Sequence, residues 1–262
     1  MNPSRRQFLG TVAATGAALT VGVGAAAADD HTGDAALRVA HLSPDAPNVD
    51  VYVNGEKVLS DVPFGAVSDY LTGLAPDTYT VKVTAAGQPD VVAFEGDLTL
   101  EAKPYTVAAI GELTPDCAAE EAKAFEPLVL TDNMEPVPED MARVRIVHAS
   151  PDAPDVDVTV PSAGVKLADD LEYGTASEYV DVPAGDYTVE VQTADDEDMY
   201  DYATVELSVE GGKAYSAFAA GFFTPGNEDE SDGEDPPAFQ VIPAVDYVPE
   251  MKSKDGSSEE SS

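Results

Sequence analysis

His41-Leu42-Ser43-Pro44-Asp45-Ala46-Pro47 returns later in the chain as His148-Ala149-Ser150-Pro151-Asp152-Ala153-Pro154. The match begins upstream, with Arg38-Val39-Ala40 against Arg145-Ile146-Val147, and runs on into Val49-Asp50-Val51 against Val156-Asp157-Val158. Phe64-Gly65 then meets Tyr173-Gly174, Tyr70 meets Tyr179, Tyr79-Thr80-Val81 meets Tyr187-Thr188-Val189, and Tyr105 to Gly111 meets Tyr215 to Gly221. The offset drifts slowly, as small loop insertions between fixed strands would make it. The chain is two copies of one unit. A period of roughly 100 residues is several times that of solenoid repeats, so each copy is expected to own a core.

Within each copy the apolar period is two. Val144, Ile146 and His148 alternate with Arg143, Arg145 and Val147, which predicts a strand with His148, and by analogy His41, on its inward face. The Ser-Pro-Asp-Ala-Pro stretch cannot extend a ladder, because its two prolines remove two donors and fix φ; it predicts a rigid turn. Val49, Val51 and Val53 alternate with Asp50 and Tyr52 in a second strand, which Asn54-Gly55 ends as a hairpin signal. Further short strands follow, separated by Pro and Gly. Each copy then carries an acidic loop after Thr114-Pro115 or Thr224-Pro225 and closes with an apolar segment beginning Ala124-Phe125 or Ala238-Phe239. Pro115 to Ala124 reads as one short helical turn. The expected fold is all-β, two tandem antiparallel β-sandwiches over 37–130 and 142–247, with a proline-rich, semi-extended linker at 131–141 and a disordered acidic tail at 248–262.

Residues 1–28 read as a twin-arginine export signal. Arg5-Arg6 precedes a weakly apolar segment to Gly24 and a small-residue cleavage site at Ala26-Ala27-Ala28. An exported, extracellular or cell-surface protein is the implied localisation. The 50 acidic residues all follow this segment, and the whole chain carries a net charge of −37. Self-repulsion of that size opposes folding in dilute salt and is screened at molar salt, so the composition reads as a halophile's. It also excludes nucleic acid and anionic membrane as partners. Cys117 is the only cysteine, which rules out an internal disulfide.

The repeated His-x-Ser-Pro-Asp-Ala-Pro-x-Val-Asp-Val, the aromatic-Gly pairs at Phe64-Gly65 and Tyr173-Gly174, and the Pro183-Ala184-Gly185-Asp186-Tyr187-Thr188-Val189 line resemble the exported family called domain of unknown function 4397. The resemblance covers nearly all of the mature chain. It implies transthyretin-like or immunoglobulin-like β-sandwiches in tandem and brings no reaction with it.

Six residues are candidates for ligand binding: His41, Asp45, Asp50, His148, Asp152 and Asp157. With Ser43 or Ser150 they invite a triad hypothesis, but a serine before proline in a turn has neither an exposed elbow nor separate oxyanion donors. A fold role takes precedence, in which the histidine pins the loop to a carbonyl and the aspartate caps the turn. No catalytic residue is assigned. The acidic runs at 195–198 and 227–230 lack the Asp-x-Asp-x-Asp-Gly spacing of a calcium loop, and one Cys with three His gives little for zinc, so no metal or other cofactor is expected. The expectation is a non-enzymatic surface or matrix protein whose repeats act as spacer and interaction modules toward envelope protein, glycan or another copy of itself. A binder of a small ligand or cation, at the motif or between the domains, is the alternative, and a hydrolase comes last.

Overall fold

The computed structural model describes residues 33–115, 123–194, 202–223 and 237–247. The export stretch, Cys117, the helical turn proposed over 115–124, both acidic runs and the tail lie wholly or largely outside them. The first repeat comprises β1 (Ala35–His41), β2 (Val49–Val53), β3 (Glu56–Val62), β4 (Leu71–Leu74), β5 (Thr78–Ala85), β6 (Val92–Thr99), β7 (Pro104–Ile110) and β8 (Glu126–Thr131). The second comprises β9 (Met141–Ala149), β10 (Val156–Val160), β11 (Val165–Leu171), β12 (Val180–Pro183), β13 (Gly185–Thr193), β14 (Tyr202–Val209), β15 (Ala214–Ala220) and β16 (Gln240–Tyr247). The fold is all-β, and each repeat is a sandwich of two four-stranded sheets. These run β3-β2-β5-β6 and β4-β1-β7-β8 in the first repeat, β11-β10-β13-β14 and β12-β9-β15-β16 in the second.

One departure from a wholly antiparallel sandwich lies at the centre. β1 runs parallel to β7, and β9 parallel to β15. Parallel pairs are found where both faces are covered, and these strands are buried along their whole length, apart from Pro104 at the start of β7 and Met141 and Arg143 at the start of β9. Leu37 and Val39 face the other sheet of their own repeat, whereas Ala40 and Ala108 face the second repeat, in one cluster with Leu42, Ile110, Val147, Phe218 and Ala220. The two inner sheets therefore stack on one another, and the molecule is four sheets deep. Small residues such as Ala40, Ala108, Ala149 and Ala220 keep that contact close.

The same face carries charge. Arg38 donates Nε to Thr106 Oγ1 at 2.7 Å, Nη1 to the Val245 carbonyl at 2.9 Å, and Nη2 to Asp246. Its counterpart Arg145 donates to Ser216 Oγ at 2.8 Å, the Thr131 carbonyl at 2.9 Å, and Asp132. Each guanidinium also lies over a tyrosine of its own repeat, Tyr70 or Tyr179, whose hydroxyl donates to the same pair of aspartates. Sequence reading placed Arg145 and Val147 opposite the inward face; that second face is buried too, because it meets the other repeat. The stretch after β8 is correspondingly no free tether. Asp132 is buried as the partner of Arg145, and Val137 packs with Ala214 and Tyr247.

Candidate functional site

The repeated motif leaves the inner sheet at the end of β1 or β9 and turns toward β2 or β10. His41 and His148 are fully buried. Each ring donates from Nε2 to a carbonyl six residues on, Pro47 at 3.2 Å or Pro154 at 3.0 Å. A carbonyl acceptor requires the proton on Nε2, so Nδ1 is left as an acceptor. In the second repeat it receives the Ser150 amide at 3.4 Å; in the first it has no partner. Burial pushes both imidazoles below their ordinary pKa, so both are neutral. Phe64 and Tyr173 stand edge-on to the two rings, and the glycine that follows each, Gly65 or Gly174, lies against Ile242 or Ile110 of the other repeat. The aromatic-Gly pair thus joins the motif to the inter-repeat face.

The serines are equally committed. Ser43 Oγ donates to the Gly111 carbonyl and Ser150 Oγ to the Gly221 carbonyl, both at 2.6 Å and both buried. Asp45 accepts the Leu113 amide at 2.8 Å, the Thr114 amide at 2.9 Å and the Thr114 hydroxyl at 3.0 Å. Asp152 accepts the Phe223 amide at 2.7 Å. These aspartates cap the loop leaving the strand parallel to their own.

Asp50 and Asp157 sit apart, on β2 and β10, facing away from the histidines. Asp50 accepts the Asp61 amide at 2.9 Å, the Gly87 amide at 3.0 Å and Lys57 Nζ at 2.5 Å. Asp157 accepts the Asp170 amide at 2.8 Å and Lys166 Nζ at 3.0 Å. Asp61 and Asp170 have φ of 55° and 50°, a left-handed backbone that costs about 1–3 kcal/mol for a residue with a side chain. They lie where the ladder to β2 or β10 slips register. The Val-Asp-Val of the motif is there to hold a bulge. Lys57, followed by the two amides, draws the Asp50 carboxyl down to about 2. For Asp157, burial works upward but is outweighed by the Asp170 amide and Lys166, so it too ends below the usual range.

The six candidates therefore divide into three kinds of internal bond, and no common cleft collects them. Among the described residues no group of three or more His, Cys, Asp or Glu is arranged to hold a metal ion, and no helix is long and apolar enough to cross a membrane. Sequence reasoning missed Arg38, Asp132, Arg145 and Asp246. The signal was present in the duplicated arginine amid apolar strand residues and in an aspartate next to the end of each closing strand.

The family described as "Domain of unknown function (DUF4397)" matches residues 35–159 and 149–230. No curated protein matches. Among solved structures, the Bacillus anthracis TIE protein is similar at 13% identity, over 72% of this chain and 34% of that one, with a TM-score of 0.21. A leucine-rich repeat protein from Bacteroides thetaiotaomicron is similar at 15% identity, over 72% of this chain and 26% of its own, with a TM-score of 0.17. The chain thus spans about a third or less of the length of either.

Proposed function

Because this chain belongs to the DUF4397 family, whose description names no activity, we propose its role from geometry: it is an exported, non-enzymatic surface or matrix protein whose paired repeats form one rigid interaction module. The observation that carries this reading is that the repeated motif is spent on fold bonds. A hydroxyl such as that of Ser43, buried and donating to a backbone carbonyl, is poorly placed to attack a substrate. The aspartates that the sequence offers to a cation already accept amides. Reciprocal ion pairs fasten the repeats back to back, so the module offers partners its loops and outer sheets.

An exposed apolar spot marks one such surface. Val91 and Val92, beside the turn between β5 and β6, are 53% and 44% exposed on a strongly acidic chain. Such a spot suits envelope protein, glycan or a second copy better than nucleic acid or anionic lipid. Cell fractionation of a tagged chain tests the reading. It should be found at the envelope, collect in the cytoplasm when Arg5 and Arg6 become Lys, and pass into the medium as V91E/V92E. A cytoplasmic wild type, or envelope retention unchanged by V91E/V92E, would overturn it.

A further inference from the structure

The two sandwiches share their inward residues but not their closure. Val81 faces Gly96 across the β5–β6 ladder, where Val189 faces Val205; Val83 faces Phe94, where Val191 faces Ala203. Gly96 leaves room for the Phe94 ring, whose edge lies 2.7 Å from where a β-carbon on residue 96 would stand. In the second repeat Val205, Leu207 and Phe239 are buried to 5% exposure or less, while their counterparts Gly96, Leu98 and Phe125 are only partly buried. Between the sheets of the first repeat an apolar cleft of about 80 Å³ results, reaching Val51, Val83, Val107 and Ala109 at its floor. Asp97 is the one ionisable residue on its lining.

We infer that the first repeat, and not the second, takes up the alkyl chain of a non-anionic amphiphile between its sheets. The lining decides the chemistry, since a slot of valines, leucines and phenylalanines offers an occupant almost no hydrogen bond and rewards apolar area alone. The volume decides the shape. About 150 Å³ of apolar cavity admits benzene, so a slot of half that size suits a few carbons of an unbranched chain and excludes a ring. Charge decides the head group: the Asp97 carboxylate accepts the Thr80 hydroxyl on the outer face of β6, and the chain's net charge of −37 opposes a carboxylate or phosphate at the mouth.

Calorimetric titration of the full chain at molar salt with octanol, octyltrimethylammonium and octanoate tests this. Octanol should bind saturably, one per chain, octyltrimethylammonium at least as tightly, and octanoate at least tenfold more weakly. Absence of saturable octanol binding, or octanoate binding as tightly as octanol, overturns the inference. A109L, which places a larger side chain in the floor of the cleft, should weaken octanol at least tenfold while the β-sheet circular dichroism is kept. Should that variant not fold, a photoreactive diazirine alkyl alcohol on the unaltered chain decides the matter. Labelling confined to the cleft-lining strands of the first repeat supports the site, and equal labelling of β13, β14 and β16 overturns it.

Discussion

Arg38 Nη2 donates to the Asp246 carboxylate across 208 positions of sequence, and both side chains are at most 2% exposed. With Arg145 and Asp132 it forms a reciprocal pair, the arrangement of a two-fold interface written within one chain. Breaking a buried pair on one side strands a charge, which costs about 3–5 kcal/mol, whereas replacing both partners by apolar residues is often close to neutral. R38M should therefore lose about that much stability, and R38M/D246L should recover part of it, the rest being withheld because the Tyr179 and Ser216 hydroxyls lose their acceptor. Urea unfolding at fixed molar salt measures both. Equal losses in the single and double variants would mean that the contact is packing rather than charge.

Gly221 has φ of +89°, and a β-carbon there would lie 2.4 Å from the Ala238 carbonyl oxygen; at Gly111 the corresponding distance is 2.3 Å to Ala124. The closing strand crosses here, and its backbone would have to move. G221A is expected to cost more than the roughly 1–3 kcal/mol of left-handed strain alone. G55A is the control, because Gly55 also has positive φ, at +81°, but open space around it. A G221A loss no larger than that of G55A, read from urea midpoints, would remove the close approach from the account.

The Asn54-Gly55 hairpin, with φ of 50° and 81°, is where the dipeptide places it, and the all-β class follows from period-two alternation, whereas the parallel pairing of β1 with β7 and of β9 with β15 does not. What the pattern did not give was the fourth layer. Alternation tells which residues share a face; it cannot tell that the face bearing Arg145 and Val147 meets another repeat rather than water. Alternation set Asp50 opposite the inward valines, but spacing could not show that it holds the Asp61 bulge, because a bulge shifts register without altering composition.

His41 and His148 are neutral in the folded chain, held below their ordinary value of 6.5 by burial. An unfolded chain takes up protons near 6.5, the folded one at lower pH, so stability is complete above 6.5 and falls as pH drops below it. Asp50 acts in a lower window: its carboxyl, drawn from 3.8 to about 2, loses its contribution as pH falls through that range. Urea midpoints should therefore decline between about pH 6.5 and 5, where Asp50 is still ionised. H41Q/H148Q should flatten that slope and leave the lower decline in place. An unchanged slope in the double variant would assign it to other groups.

The net charge of −37 makes the strongest claim on conditions. At about 1 M salt the screening length is ~3 Å, shorter than the spacing of most surface carboxylates; at 0.1 M it is ~10 Å, and like charges over a whole sheet act together. Exposed pairs such as Lys103–Glu101 contribute little against that repulsion. The Arg38–Asp246 and Arg145–Asp132 pairs are shielded from solvent ions and should hold at any salt concentration. Lowering potassium chloride from molar to about 0.1 M should thus unfold the outer sheets before the inner pair separates. Hydrogen exchange should show this as early loss of protection in β3 and β11, with β7 and β15 retained longest. Uniform protection across all strands at low salt, with β-sheet circular dichroism intact, would show that the carboxylates do not set the salt requirement.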